Sequence, residues 1–180
     1  MGINETPEDR DRQSLFFDYI ERWSPRLVER GFTGKGLSYA KRLDYMLVSN
    51  NDHNLCGWAE IKCTFRTIES LRKVYSISLS KVAVGRSYVA LTEVPAWLFV
   101  WFTKDNKFGY VDLSKVKTSA GFVYWGGWKK RGLPGDMEPM VRIPIDTFAM
   151  QECNLDYEHL TDRRNRNARQ GYLMSCLKEQ

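Results

Sequence analysis

Asp44 and the triplet Glu60-Ile61-Lys62 are the residues of this chain whose types and spacing suit chemistry most directly. Two carboxylates offer hard oxygen ligands of the kind Mg²⁺ or Mn²⁺ takes, and such an ion keeps several waters while binding a substrate phosphate beside them. The carbonyl of the intervening Ile61 adds a further oxygen. A lysine two positions after a glutamate shares its face of a strand. There an ammonium can position or help deprotonate an attacking water and stabilise charge growing on a phosphoryl oxygen. Hydrolysis of a phosphodiester is the reaction such a set serves, provided the chain brings Asp44 and Glu60 together.

A hairpin would do so. Leu43, Tyr45 and Leu47 alternate with Asp44, Met46 and Val48, so residues 41–48 read as a strand with Asp44 on the face opposite Leu43. A polar turn, Ser49 to Asn54, leads into a second strand at 57–63, with Trp58, Glu60 and Lys62 on one face and Ala59 and Ile61 on the other. Before the hairpin, Leu15, Phe16, Tyr19, Ile20, Trp23, Leu27 and Val28 recur at helical steps from Ser14 to Arg30, with a kink expected at Pro25 and a glycine-rich loop from Gly31 to Gly36. After it, Thr67 to Val74 reads as helix or loop. Leu79 to Leu91 reads as a helix with Leu79, Val82, Ala83 and Tyr88 inward. The apolar run Trp97 to Phe102 predicts a fully buried central strand, and Phe108 to Leu113 its hairpin mate. A short strand at Val141 to Ile145 and a polar helical tail from Leu155 complete an α/β reading without repeats or linkers. The expected organisation is a polar segment 1–13, a core 14–150 and a helical tail 151–180 packed on the same domain.

Asp44, Glu60-Ile61-Lys62 and this order of elements over residues 14–113 resemble the PD-(D/E)XK nuclease superfamily, which includes type II restriction enzymes and archaeal Holliday-junction resolvases. Leu43 departs from its pattern, standing where the name-giving proline would be. The resemblance implies a restriction-endonuclease-like core, a central mixed sheet of four to five strands flanked by helices. It also implies a Mg²⁺-dependent deoxyribonuclease, with Mn²⁺ able to substitute, in which Asp44 and Glu60 hold the metal and Lys62 serves the nucleophile. An additional acid on the first helix would be Glu21, with Glu29 as the alternative, and a basic residue on the second helix would be Lys81. The implied substrate is DNA, with RNA and a homodimer left open, and the implied setting is the cytoplasm of a bacterium or phage-infected host. A member of the superfamily that had lost its catalysis would be a nucleic-acid-binding or interaction module instead, a reading that the intact triad opposes.

Composition is compatible with this and decides little alone. The 27 Lys and Arg against 22 Asp and Glu leave a net charge of +5, and a pI near 9.0 favours polyanions only mildly. The apolar fraction of 43% excludes a disordered chain. No run approaches the ~18 apolar residues of a membrane span, and the acidic, polar start lacks the apolar segment of a signal peptide. Cys56, Cys63, Cys153 and Cys176 are spaced too irregularly for a disulfide framework or, with His53 and His159, for a zinc site. Ser38 and His53 lack an orienting third group for a hydrolase. Gly34-Lys35-Gly36 lacks the rest of a phosphate-loop pattern, and Lys35 is expected to touch a DNA backbone from a turn. The stretch Trp125 to Gly135, containing Lys129, Lys130 and Arg131, combines stacking and phosphate-binding groups; inward packing of Trp125 and Trp128 is the competing reading. The tail arginines Arg163, Arg164, Arg166 and Arg169 read as a solvated helix face.

Overall fold

The run Ala96–Phe102 is the axis of the fold, because its apolar side chains alternate between two separate cores. Phe99 and Trp101 turn to one cluster, Leu98, Val100 and Phe102 to the other. A strand buried on both faces needs no polar alternation, which is why this one is apolar almost throughout. The structure, a computed structural model, describes residues 7–23, 32–36, 43–49, 51–127 and 137–155.

Within them the chain forms α1 (Pro7–Trp23), β1 (Phe32–Gly36), β2 (Tyr45–Ser49), β3 (Leu55–Thr64), β4 (Val74–Ser78), α2 (Leu79–Thr92), β5 (Ala96–Phe102), β6 (Lys107–Asp112), β7 (Val123–Gly127), β8 (Met137–Pro144) and β9 (Ala149–Glu152). The large sheet has the order β1-β2-β3-β5-β6-β9. Only β3 and β5 run parallel in it, the pair requiring a crossover, and that crossover contains β4 and α2. A second sheet, β4-β8-β7, is antiparallel.

α1 covers one face of the large sheet: Leu15, Phe16, Phe17, Tyr19 and Ile20 are buried among Ala59, Ile61, Phe99, Trp101 and Phe108. Phe16 stacks on Trp101 with centroids 5.7 Å apart, and Phe17 lies flat on Tyr45 at 3.9 Å. On the other face Val82 of α2 and Ile77, Val141 and Ile143 of the small sheet close over Leu98, Val100 and Phe102. Full burial of each such side chain is worth ~1.5–3 kcal/mol relative to exposure, so the large sheet is clamped from both sides.

The mixed α/β architecture, the hairpin, the second helix and the central strand pair are as the sequence leads one to expect. Several local expectations are corrected. α1 begins at Pro7, inside the segment expected to stand apart from the core, and residues 24–31 lie outside the described ones. Phe32–Gly36 is a strand, not a loop: it occupies the sheet edge and pairs along its length with β2. The large sheet gains a sixth strand because β9 pairs with β6. β9 crosses the expected boundary at 150, and Cys153 and Leu155 beyond it are buried in the α1 core; residues 156–180, the expected helical tail, lie outside the described ones. Ala83 is exposed, and its expected inward place is taken by Gly85.

Gly85 is where α2 meets the turn after β6. A Cβ built there would lie 2.7 Å from Leu113 Cδ1 and 2.9 Å from its Cβ. Alanine is the better helix former by about 1 kcal/mol. Overpacking a core this tight, however, costs about 1–3 kcal/mol, so Gly85→Ala is expected to destabilise the protein. A urea midpoint at or above the wild-type value would show that α2 can move off Leu113.

Candidate active site

The site forms where β2 stops short of β3. Tyr45, the first residue of β2, pairs with Ala59, so Glu60, Ile61 and Lys62 extend beyond the end of their neighbour. Asp44 lies in a bend just before β2, correcting the expectation that it sits within a strand from 41 to 48. Its backbone N–H donates to Ala59 O at 3.0 Å, and its carboxylate Oδ2 accepts the Ile61 N–H at 2.8 Å. The Asp44 side chain thus replaces the next ladder bond. The bend also separates Leu43 from its expected face-mates: Leu43 packs on the α2 side, Tyr45 and Leu47 on the α1 side. Within a strand the N–H and C=O of one residue point to the same edge, so the Ile61 carbonyl faces the edge where Asp44 sits.

Glu60 and Lys62 lie on the α2 face of β3, opposite Ala59 and Ile61, as the period of two requires. Lys81 reaches them from the first turn of α2, whose N-cap, Ser78, accepts the Ser80 N–H. Four charges therefore meet. Glu60 is fully buried; its Oε1 is 2.7 Å from Lys62 Nζ and its Oε2 2.7 Å from Lys81 Nζ. Asp44 is 3.9 Å from Lys62 and 3.8 Å from Lys81. Lys81 donates a hydrogen bond to Oε2, and the Lys62 ammonium lies against Oε1.

Burial pushes the Glu60 carboxyl above its ordinary range, with the Asp44 charge adding to the rise and Lys62 and Lys81 opposing it. For Lys62 burial works against the ammonium, but Glu60 and Asp44 outweigh it and hold the group above its usual value. Lys62 is thus cationic in this arrangement, suited to positioning and charge stabilisation.

The donor set fits a hard divalent cation. Its two carboxylates converge with the Ile61 carbonyl edge. Glu60 is a fully buried carboxylate, which is costly unless cations face it, as the two ammoniums do here. The opposing charge is carried by two single cations, Lys62 and Lys81, which match a 2+ ion in sum.

Of the remaining expected site residues, Glu21 is on α1, an element that carries none of the four charges of this cluster. Glu21 is in the last turn of α1, and α1 covers the Ala59 and Ile61 face, opposite Glu60. No group of three or more His, Cys, Asp or Glu with metal-binding geometry occurs among the described residues. Glu29 lies outside them, as do Lys129, Lys130 and Arg131. Lys35 is on the edge strand β1, paired with Met46, and not on a turn. Trp125 is in β7 and 67% exposed, so the reading in which it packs inward does not hold.

Three residues beside the site were not recognised from sequence: Tyr75, Ser78 and Glu138. All depend on β4 and its partner β8. Tyr75, pushed up to about 12 by burial, is electrostatically coupled to Lys62. Ser78 donates to Glu138 Oε2 at 2.6 Å and so ties β8 to the start of α2. The alternation Val74-Tyr75-Ser76-Ile77-Ser78 is the signal that marks β4, but it runs without a break into the helix.

A sheet flanked by helices, with Asp44 and the Glu60-Ile61-Lys62 triplet meeting at the end of a hairpin, defines a PD-(D/E)XK-type nuclease. Residues 3–151 match the family described as "Phage putative PDDEXK endonuclease", and the chain belongs to that family. Similar solved structures include a Holliday junction resolvase from Archaeoglobus fulgidus, at 9% identity over 76% of this chain and 87% of that one, with a TM-score of 0.46. Another is a nuclease from a fusselovirus, at 12% identity over 82% and 89% of the two chains, with a TM-score of 0.48. No curated protein matches the sequence. No helix among the described residues is long and apolar enough to cross a membrane.

Proposed function

We propose that this protein is a divalent-metal-dependent endonuclease that hydrolyses DNA phosphodiester bonds. The observation that carries this reading is the convergence of two carboxylates and two lysines within 2.7–3.9 Å where the hairpin and α2 meet. Family membership supports it. Asp44, Glu60 and the Ile61 carbonyl would hold Mg²⁺ or Mn²⁺, which when bound supplies Lewis-acid activation of water and charge compensation at the phosphate. Asp44 is held for this by the Ile61 N–H, and Glu60 by Lys81.

Lys62 has a different part. It shares the protruding end of β3 with Glu60, and its ammonium lies 2.7 Å from Glu60 Oε1 and 3.9 Å from Asp44 Oδ2, beside both carboxylates that would hold the metal. There the remaining donors of the ammonium can serve an attacking water or a phosphoryl oxygen carrying developing charge. Lys81 is a positioning residue for Glu60. All four side chains are present together, which favours catalysis over an inactive binding module, because two such ion pairs contribute little net stability that apolar residues would not supply.

The test uses supercoiled plasmid with Mg²⁺, Mn²⁺ or excess EDTA, alongside calorimetric titration of Mn²⁺. Cleavage is expected with either ion and absent in EDTA. Asp44→Asn retains an oxygen for the Ile61 N–H but loses the ligand charge, so it should weaken Mn²⁺ binding and cutting together. Undiminished cleavage in EDTA, or unchanged Mn²⁺ affinity in Asp44→Asn, would remove the proposed metal role.

A further inference from the structure

Tyr75 belongs to the small sheet, but its ring lies on the large one. Alternation along β4 turns Tyr75 and Ile77 toward the α2 core. There the Tyr75 ring meets Phe102 edge to face with centroids 6.3 Å apart, and Phe148 in the same manner at 6.0 Å. Phe148 in turn lies over Gly109, where a built Cβ would be 3.1 Å from the Phe148 Cβ and Cδ1. Gly109 and Lys62 share one row of the large sheet, since Lys62 pairs with Val100 and Val100 with Gly109. Phe102 pairs with Thr64 on the same face, two residues further along. Tyr75 therefore covers β5 at the level of Lys62, one strand away from it.

Its place is fixed by the segment that precedes it. The chain enters β4 through two successive left-handed residues, Arg72 at φ 52° and Lys73 at φ 66°. A Cβ disfavours that conformation, which persists where the surroundings hold it. Here the Ile68 N–H donates to Asp105 Oδ2 at 2.7 Å, and Lys73 O accepts the Ile145 N–H at 2.9 Å.

Packing accounts for the ring and not for the hydroxyl. A phenylalanine would make the same edge-to-face contacts, and the Tyr75 oxygen takes part in no hydrogen bond among the described residues. A tyrosine O–H removed from bulk water ordinarily has a partner. Burial keeps this phenol un-ionised, and its oxygen interacts electrostatically with both Lys62 and Glu60. A neutral O–H donor thus stands beside the ammonium and the carboxylate of the site.

Building on the nuclease reading, we infer that Tyr75 is a further catalytic residue, its hydroxyl donating to a non-bridging oxygen of the phosphate that Lys62 faces. Donors placed around the phosphate oxygens supply much of the rate in phosphoryl transfer, because the protein has little covalent chemistry to do. A neutral donor suits this position: a third ammonium here would repel Lys62 and Lys81, whereas a hydroxyl donates without adding charge.

The experiment compares wild type with Tyr75→Phe, which keeps the ring and removes one oxygen. Single-turnover cleavage is measured in Mg²⁺ at saturating enzyme, with DNA affinity in Ca²⁺ and the urea midpoint alongside. Tyr75→Phe should cut about 10-fold more slowly, the scale of losing one hydrogen bond to a charged group, with affinity and midpoint unchanged. DNA bearing either phosphorothioate diastereomer at the mapped cleavage position adds a readout that packing does not move. Sulfur accepts hydrogen bonds poorly, so sulfur at the contacted oxygen should slow wild type more than Tyr75→Phe, the two losses being one and the same contact. A Tyr75→Phe protein that cleaves at the wild-type rate overturns this inference alone. So does a slower one in which each diastereomer slows both proteins by the same factor, or in which the urea midpoint falls with the rate, since Tyr75 is then a packing residue. A wild type that cuts DNA with neither Mg²⁺ nor Mn²⁺ overturns the nuclease reading as well.

Discussion

Replacing Lys62 by alanine is expected to lower the single-turnover cleavage rate by about 10²-fold or more, the scale of losing one preorganised group that stabilises developing charge. DNA affinity measured in Ca²⁺ should change little, because an interaction strengthened in the transition state contributes to rate and not to ground-state binding. The geometry motivates the contrast with Lys81. Both ammoniums lie 2.7 Å from Glu60, but Lys62 extends from the same protruding strand end as Glu60, whereas Lys81 reaches in from α2. Lys81→Ala should therefore cost less, and act by loosening Glu60. Single-turnover rates at saturating enzyme and Mg²⁺ decide the matter. If Lys62→Ala binds DNA weakly yet cleaves at the wild-type rate once saturated, Lys62 is a binding residue and the assignment fails.

Removing the Glu60 carboxylate should have the largest effect on the protein as a whole. Glu60 is buried at 0% accessibility between Lys62 and Lys81, whose side chains are 28% and 22% exposed. Glu60→Ala leaves two ammoniums facing each other, with Asp44 the one carboxylate paired with them among the described residues, at 3.8–3.9 Å. Stripping one partner from a buried ion pair ordinarily costs ~3–5 kcal/mol, and partial solvation of the lysines places this case near the lower end, about 3 kcal/mol. Metal binding and cleavage should be lost with it. Glu60→Gln, which keeps the volume and one acceptor oxygen, should be destabilised less while remaining inactive. Urea denaturation of the three proteins reads the difference, and a Glu60→Ala protein as stable as wild type would mean that the lysines simply swing into solvent.

Much of this was legible without coordinates, for a physical reason that differs between elements. The face shared by Glu60 and Lys62 follows from the two-residue repeat of a strand, and β5 from a run too apolar to tolerate water on either side. The hairpin needs only a polar turn between two alternating segments. These are local properties, carried by neighbouring residues, and so is the resemblance built on them. The strands β1, β4, β7 and β9 are another matter. Phe32–Gly36 holds a sheet edge despite two glycines, Ala149–Glu152 exists as a strand because Lys107–Tyr110 offers it a ladder, and Val74–Ser78 finds its partner in Met140–Pro144, far along the chain.

Tertiary structure alone decided how the site is wired. Spacing suggested that Asp44 and Glu60 meet, but it was the end of β2 at Tyr45 that turned Asp44 into the acceptor of the Ile61 N–H. Spacing also placed Lys81 on the right helix. Only the packing of α2 against the large sheet brought its ammonium to Glu60 Oε2, and only the small sheet brought Glu138 to Ser78 and left Trp125 in water. Residue type and periodicity determine which face a side chain takes along its own strand or helix. Which charges then neutralise one another depends on contacts between segments distant in sequence, whose geometry no local repeat encodes.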